Sequence, residues 1–343
     1  MREAVFVRHH AADWEAFEQR LDSKEPVDPD ALAEGYVRLT DDLAYARTFY
    51  PGSVTTAYLN GLAGHAHHRI YRNRREERGR LWRFWAEEIP RVVYQERRAL
   101  LWALALFVAF AGLGAVSAAS DGAFVRLILG DAYVNMTLAN IEAGDPMRVY
   151  KEEYPVDMFS LVALNNVLVS FMAFAGVYPL GDLALPLFSL GTALALFRNG
   201  VMVGAFQFFF WEQGVFGESV QTIWIHGTLE IAAIVLAGGA GLAMGNALLF
   251  PGTYPRLVAF RRGAVRGLKI VIGLVPQFVV AALLEGFVTR HTAMPVALSG
   301  LIIFGSLAFV LGYFVWLPAR VRRRDRAASA GTAAGAIPKD APA

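Results

Sequence analysis

The chain has 343 residues, of which 55% are hydrophobic and 18% are charged, whereas an average soluble domain carries about 25% charged residues. It contains no cysteine, which excludes disulfide bonds, iron–sulfur clusters, zinc–thiolate sites and thiol nucleophiles. Residues 1–98 hold 16 of the 32 Lys and Arg, while several later stretches of roughly 20 residues hold almost none. Because a membrane-spanning helix needs ~20 mostly apolar residues, this segregation predicts an integral membrane protein.

Residues 1–98 are predicted to form a helical cytoplasmic domain. A short helix capped by Asp13 comes first, and Pro29 suits the first position of a second helix. A third helix is predicted from about Thr55 to Arg75. Apolar residues of the second helix recur at three- and four-residue steps, which indicates one buried helix face. They are Leu32, Tyr36, Leu39, Leu43, Ala46 and Phe49 or Tyr50.

The end of this domain, residues 81–98, mixes aromatic and basic side chains just before the first long apolar stretch. Such an amphipathic segment tends to lie in the lipid headgroup region. Its predicted headgroup contacts are Trp82, Trp85, Arg91, Arg97 and Arg98. The alternative, that this face packs on other helices of the protein, stays open.

Six apolar stretches follow, so the predicted fold class is all-α, a polytopic helical membrane protein with about six transmembrane helices over residues 99–317. The predicted spans are Ala99–Ala119, Met158–Tyr178, Leu183 towards Trp211, Val220–Phe250, Leu268–Val288 and Val296–Leu317. Pro186 and Pro276 are expected to kink their spans, and a break of the third span near Asn199 is left open. Residues 318–343 are expected to be a basic, disordered tail.

The distribution of basic residues predicts the orientation. With the N-terminus inside, the inner segments hold 27 of the 32 Lys and Arg. The outer loop 120–157 holds only three of them, and it contains seven acidic residues. Because Lys and Arg concentrate in cytoplasmic loops, both termini are expected to be cytoplasmic, in a bacterial inner membrane. Part of the outer loop is expected to form a short helix on the membrane surface.

Polar residues inside the predicted spans are the candidate functional residues, because such groups are costly in a bilayer. His226 and Glu230 are four residues apart and therefore share a helix face. The complete set is His226, Glu230, Glu285, Asn165, Asn166, Arg198, Asn199 and Gln277. They could serve as hydrogen-bonding contacts between helices, as a proton or ion pathway, as metal ligands or as acid–base catalysts. No metal or cofactor is expected, since His226-x-x-x-Glu230 supplies only two ligands and typical sites need at least three.

Two small-residue patterns, Gly200-x-x-x-Gly204 and Gly241-x-x-x-Gly245, would allow helices to approach closely. They do not establish a homodimer. The sequence contains neither a His-Glu-x-x-His metalloprotease motif nor a Gly-x-Ser-x-Gly nucleophile elbow, so it gives no positive sign of an enzyme.

Several of these segments together resemble the stage II sporulation protein M family. The main one is His226-Gly227-Thr228-Leu229-Glu230-Ile231-Ala232-Ala233, followed by a glycine-rich stretch. The other matching segments are Asn165-Asn166, Arg198-Asn199-Gly200 with Gly204, Ala237–Gly245 and Ala281–Thr289. The resemblance covers about residues 158–290 well and the N-terminal domain loosely.

The resemblance implies a polytopic inner-membrane protein. In spore formers the namesake is the membrane partner of a cell-wall-degrading complex, and relatives in other bacteria occur beside MoxR-type ATPases. The function expected from it is a scaffold that recruits protein partners, a cell-wall enzyme or an ATPase, in the cell envelope. The alternative is a transporter or channel that uses the intramembrane polar residues. The chain is expected to lie in a lipid bilayer. The question whether it forms homo-oligomers is left open, and no nucleic-acid partner is expected.

Overall fold

The structure is a computed structural model that describes residues 2–23, 28–72, 79–152, 154–180, 183–186 and 189–335. The chain divides into two compact units, Met1–Arg80 and Leu81–Ala343. Both are helical, so the predicted all-α class is confirmed. Within the described residues, the exception is one hairpin of two antiparallel four-residue strands, β1 (Val177–Leu180) and β2 (Leu183–Pro186).

The N-terminal unit consists of three helices that enclose a hydrophobic core of their own. These are α1 (Glu3–Asp22), α2 (Pro29–Phe49) and α3 (Val54–Arg72). Side chains from all three helices are buried in this core: Phe6, Trp14, Phe17, Leu21, Leu39, Leu43, Ala46, Leu59, Leu62, Ala63 and Ala66. The Trp14 indole donates a hydrogen bond of 2.8 Å to Asp42, which ties α1 to α2.

Two details of the N-terminal unit differ from the sequence prediction. Asp13 lies in the middle of α1 and does not cap it, because the helix already begins at Glu3. On α2, Phe49 is exposed although it falls in the predicted apolar set. The predicted start of α2 at Pro29 is confirmed, and the Asp28 side chain accepts a hydrogen bond from the Asp30 backbone N–H there. Part of the basic run after α3 lies outside the described residues.

The second unit contains all the long apolar helices. Its helices are α4 (Arg80–Arg83), α5 (Ile89–Ser120), α6 (Gly122–Leu129), α7 (Asp131–Glu142), α8 (Val149–Glu152), α9 (Pro155–Ala175), α10 (Ser189–Glu212), α11 (Phe216–Leu249), α12 (Arg256–Leu283), α13 (Val296–Leu311) and α14 (Leu317–Gly335). In the described part of this unit, three π turns continue helices without a break, at Phe84–Glu88, Leu284–Thr289 and Gly312–Trp316. Among the described residues, six helices are long and apolar enough to cross a membrane, and they fall on the six predicted spans.

The third span differs most from its prediction. It begins at Ser189, and Pro186 lies in strand β2, so Pro186 does not kink a helix. Pro186 is the last residue of an edge strand in this hairpin, a position at which proline is tolerated. The helix α10 runs through Arg198-Asn199-Gly200 to Glu212 without interruption, which settles the question of a break. Pro276 does lie inside a span, α12, as expected.

Helix α11 is the centre of the membrane unit and packs against α5, α9, α10, α12 and α13. Its backbone approaches its neighbours at glycines. A Cβ atom at Gly241 would lie 2.5 Å from the Thr192 hydroxyl of α10 and 2.8 Å from the Ala173 carbonyl of α9. The two small-residue patterns therefore pack inside one chain. On α10, a Cβ atom at Gly204 would overlap the Ala111 carbonyl of α5.

Ion pairs join three helices at the end of the unit where α5 begins. Arg91 pairs with Asp325 of α14 at 2.9 Å, Lys269 of α12 pairs with Glu88 at 2.6 Å, and Arg266 pairs with Glu96. These contacts place the start of the first span, the start of the fifth and the end of the sixth at one end of the helix bundle. Because Arg91 and Asp325 lie at the same end, the chain between them traverses the bundle an even number of times.

The opposite end of the unit is covered by α6, α7 and α8. Val125 of α6, Val134 of α7 and Met147, which lies just before α8, are buried against Ala118 and against aromatic residues of α10. The surface helix predicted for this loop is thus two helices in contact with the bundle. The basic tail also departs from its prediction, because α14 continues as a helix to Gly335. The remaining residues, 336–343, lie outside the described part of the chain.

Candidate functional site

The polar residues of α11 lie on the face that meets α9 and α12. His226 and Glu230 are about one turn apart, and both are near the half of the bundle covered by α6, α7 and α8. His226 is buried, with 4% of its surface exposed. Its immediate neighbours in α11, Ile225 and Gly227, carry no polar side chain.

The end of α12 supplies the partners of His226. There the helix passes into the π turn Leu284–Thr289, a form that recurs at functional sites. The turn places two side chains against one imidazole. His226 Nδ1 lies 3.0 Å from the Thr289 hydroxyl, and His226 Nε2 lies 3.9 Å from Oε1 of Glu285. The Thr289 hydroxyl is in turn 3.1 Å from the Leu284 carbonyl, to which it donates.

Helix α9 completes the group from a third side. The Asn166 amide donates a hydrogen bond of 2.5 Å to Oε1 of Glu230. The helix can approach the π turn because residue 286 is glycine. A Cβ there would lie 2.8 Å from the Pro155 carbonyl and 3.2 Å from the Phe159 Cβ. We call His226, Glu230 and Glu285 the triad, and their ligand atoms all lie within 4.8 Å of one another.

Tyr150 of α8 covers the triad from the connecting segment. Its ring centroid lies 5.8 Å from that of His226. Burial raises the pKa of the Tyr150 hydroxyl well above its ordinary value, and the charges of Tyr133, Glu285 and Glu230 add to this shift. The hydroxyl therefore keeps its proton at neutral pH and remains a hydrogen-bond donor.

Comparison with known families gives an identification for the part of the chain that holds this site. The family model described as Stage II sporulation protein M matches residues 103–290, more than half of the chain. The chain belongs to this family. A second model, described as a domain of unknown function (DUF8413), matches residues 4–72, which is most of the N-terminal unit. No curated protein and no solved structure matches the chain.

Among the predicted site residues, this member of the stage II sporulation protein M family brings four together: the triad and Asn166. Gln277 lies next to them, where its amide donates a hydrogen bond of 2.8 Å to the Leu229 carbonyl. Its Oε1 atom is buried and has no hydrogen-bond partner among the described residues.

Three predicted site residues lie elsewhere. Asn165 and Arg198 are exposed on the outside of the helices. Asn199 donates a hydrogen bond of 2.8 Å to the Ala195 carbonyl of its own helix. Adjacent residues of a helix point about 100° apart, so Asn165 and Asn166 cannot both face the triad.

Sequence reasoning missed Thr289 and Tyr150 as site residues. Thr289 is the last residue of the Ala281–Thr289 segment that resembles the family. It lies four residues after Glu285, and this spacing could have indicated that the two side chains share a helix face. Tyr150 lies outside the spans. No local sequence pattern predicts how its segment runs over the bundle. In the described residues, the triad is the single group of three or more His, Asp and Glu side chains that could hold a metal ion.

The residues predicted to contact lipid headgroups divide into two groups. Trp85 and Arg91 make contacts inside the protein: the Trp85 indole donates to the Gly273 carbonyl at 3.4 Å, and Arg91 pairs with Asp325. Trp82, Arg97 and Arg98 are exposed. Headgroup contact remains a prediction for these three.

The two adjacent asparagines provide a matched test of the site. Replacing Asn166 with Leu should lower the free energy of unfolding by about 1–3 kcal/mol, because Glu230 loses its donor inside the helix bundle. Replacing Asn165 with Leu should change it by less than about 0.5 kcal/mol, as for other exposed positions. Unfolding of the purified variants in mixed detergent micelles would measure both values. Equal losses in the two variants would contradict the arrangement described here.

Proposed function

We propose that this protein is a membrane scaffold that recruits partner proteins in the cell envelope. The observation that carries the proposal is the N-terminal unit, which packs a hydrophobic core of its own and precedes an apolar unit with six span-like helices. A folded polar module joined to a membrane anchor is an arrangement suited to holding a partner at the membrane. Membership of the stage II sporulation protein M family agrees with this function. The partners we propose are a cell-wall enzyme or an ATPase.

We also propose that the protein lies in the bacterial inner membrane with both termini in the cytoplasm. The support is the concentration of Lys and Arg in residues 1–98, in the segment before α12 and in the tail, together with the acidic segment 120–157. The ion pair of Arg91 with Asp325 agrees with an even number of crossings.

The absence of cysteine makes the orientation directly testable. Ala143→Cys, in the segment after α7, should react with a membrane-impermeant maleimide in intact spheroplasts. Thr253→Cys, between α11 and α12, should react only after the membrane is permeabilised. Both positions are exposed. The opposite labelling pattern would reverse the proposed orientation, and the cysteine-free parent is the control.

The scaffold function predicts that partner recovery depends on the N-terminal unit. Affinity purification of the tagged full-length chain from native membranes, followed by mass spectrometry, should recover a partner in near-stoichiometric amount. Deletion of residues 2–80 should remove that partner while the remaining helices still insert into the membrane. A deletion of residues 329–343 serves as the control and should leave recovery unchanged. Undiminished recovery without residues 2–80 would overturn the proposal.

A second function, ion passage through the membrane unit, is favoured by the convergence of α9, α11 and α12 on the triad. If the triad forms part of a pathway, Glu285→Gln should reduce ion flux into proteoliposomes by at least about tenfold. Glu218→Gln is the matched control, because Glu218 is an exposed acid near the start of α11. No flux in the wild-type protein, or equal flux in both variants, would exclude ion passage.

A further inference from the structure

The hydrogen bonds around Thr289 favour one tautomer of His226. A hydroxyl has a single proton, and Thr289 directs its proton to the Leu284 carbonyl at 3.1 Å. With that proton used, its oxygen accepts from His226 Nδ1, 3.0 Å away, in the tautomer that carries the proton on Nδ1. In a neutral imidazole one nitrogen carries the proton and the other a lone pair. Nε2 of His226 consequently presents its lone pair on the side where Glu285 lies.

A lone pair that faces a carboxyl group is satisfied either by a donated proton or by a bound cation. The 3.9 Å between His226 Nε2 and Glu285 Oε1 exceeds the range of a direct hydrogen bond. Two ligand atoms of a tetrahedral metal ion lie about 3.4 Å apart, since each is ~2.1 Å from the metal. The separation is thus too long for a shared proton and close to that of two atoms on one cation.

The surroundings of the triad have the features of a metal centre. A metal-bound histidine commonly donates its other ring nitrogen to a neighbouring group, and bound carboxylates are held by hydrogen bonds. Thr289 fulfils the first role for His226, and Asn166 fulfils the second for Glu230. Both of these residues lie outside the triad, on the π turn and on α9.

The low polarity around the triad also favours a cation. The side chains of His226 and Glu285 are only 5% and 13% exposed. Glu230 and Glu285 lie within hydrogen-bonding reach of each other, and two carboxylates at such a site are expensive unless a shared proton or a cation balances their charge. A divalent cation balances both at once.

We propose that His226, Glu230 and Glu285 bind one divalent transition-metal ion of the Zn²⁺ class, with the fourth position left for water or another ligand. One imidazole nitrogen with two carboxylate oxygens suits Zn²⁺, Mn²⁺ or Fe²⁺, whereas Mg²⁺ and Ca²⁺ prefer oxygen ligands alone. Three protein ligands with one open position are typical of a reactive or exchangeable site. The sequence led to the opposite expectation, because the third ligand comes from a π turn that is distant in the chain. The proposal is independent of the scaffold function.

The test uses the full-length chain, purified in detergent through a tag without histidine, with Zn²⁺ as the probe. Elemental analysis should find about one metal ion per chain. Removal of that ion with a chelator should lower the thermal unfolding temperature, and added Zn²⁺ should restore it in a saturable manner. Glu285→Gln and His226→Gln should each reduce the bound metal by about tenfold or more.

Two controls separate the triad from surface binding. Glu218→Gln changes an exposed acid of the same helix and should retain the metal. Replacement of His65, His67 and His68 with Gln removes an exposed histidine cluster of the N-terminal unit and should also leave the metal in place. If this triple variant loses the metal, or if Glu285→Gln keeps it, the proposal is wrong. It is equally wrong if the wild-type chain neither contains nor binds Zn²⁺.

A spectroscopic measurement covers the case in which the triad variants do not fold. Wild-type protein loaded with Co²⁺ should show the visible absorption of a four-coordinate nitrogen and oxygen site, and Zn²⁺ should displace it. A six-coordinate, weakly absorbing Co²⁺ spectrum would indicate surface binding and would contradict the proposal.

Discussion

The close approach of helices to α11 is the constraint on which the rest of the membrane unit depends. In a bilayer, helix association gains little from the hydrophobic effect and relies on tight packing. Glycines of α11 let neighbouring backbones come within contact distance, as at Gly241 beside Thr192 and Ala173. In the apolar 18-residue stretch of α11, 56% is buried inside the protein, whereas the corresponding share in the last span is 11%. The central helix therefore positions its neighbours, and the last helix is held mainly from one side.

The triad lies where this glycine packing gives way to larger side chains. The close contacts at Gly238, Gly241 and Gly245 belong to the second half of α11, whereas His226 and Glu230 belong to its first half. In that half the helices are held by polar contacts, from Asn166 on α9 and from Thr289 on the π turn. Glu285 and Thr289, both on the π turn, contact opposite nitrogens of one imidazole.

The sequence predicted the spans well because hydrophobic length is a local property. It also predicted that His226 and Glu230 share a face, since four-residue spacing fixes that relation in any helix. It could not distinguish Asn165 from Asn166, because their roles depend on the rotation of α9 about its axis. The same limit applies to Arg198 and Asn199, which belong to a matching family segment but face away from the triad. The rotation of a helix about its axis and the identity of its neighbours depend on the tertiary structure, so the periodicity of one segment does not predict them.

The errors at segment ends have a different physical origin. Pro186 was assigned to a span because the residues around it are apolar, yet an apolar stretch can equally form a small hairpin at the end of a bundle. The tail was expected to be disordered from its Arg, Ala and Gly content. It continues as helix from the last span, and ion pairs of Arg324 with Glu87 and of Asp325 with Arg91 hold its first turns. Propagation of a helix that has already formed costs far less than starting one, so composition alone underestimates helix at such a position.

A metal ion at the triad would connect the packing of the bundle to its chemistry. The ligands come from α11 and from the π turn after α12, and the Asn166 hydrogen bond adds α9. A cation bound there would hold three spans together in the half of the bundle where α11 itself has no close glycine contact. It would thus act first as a structural link between helices, because α11 and α12 run in opposite directions and the triad joins them near that end.

The open fourth position points to a further role, since a purely structural site usually fills all four positions with protein ligands. A scaffold needs only the link, whereas transport or catalysis needs the open position. Occupancy of that position by a protein group or by exchangeable water would therefore separate the two kinds of function.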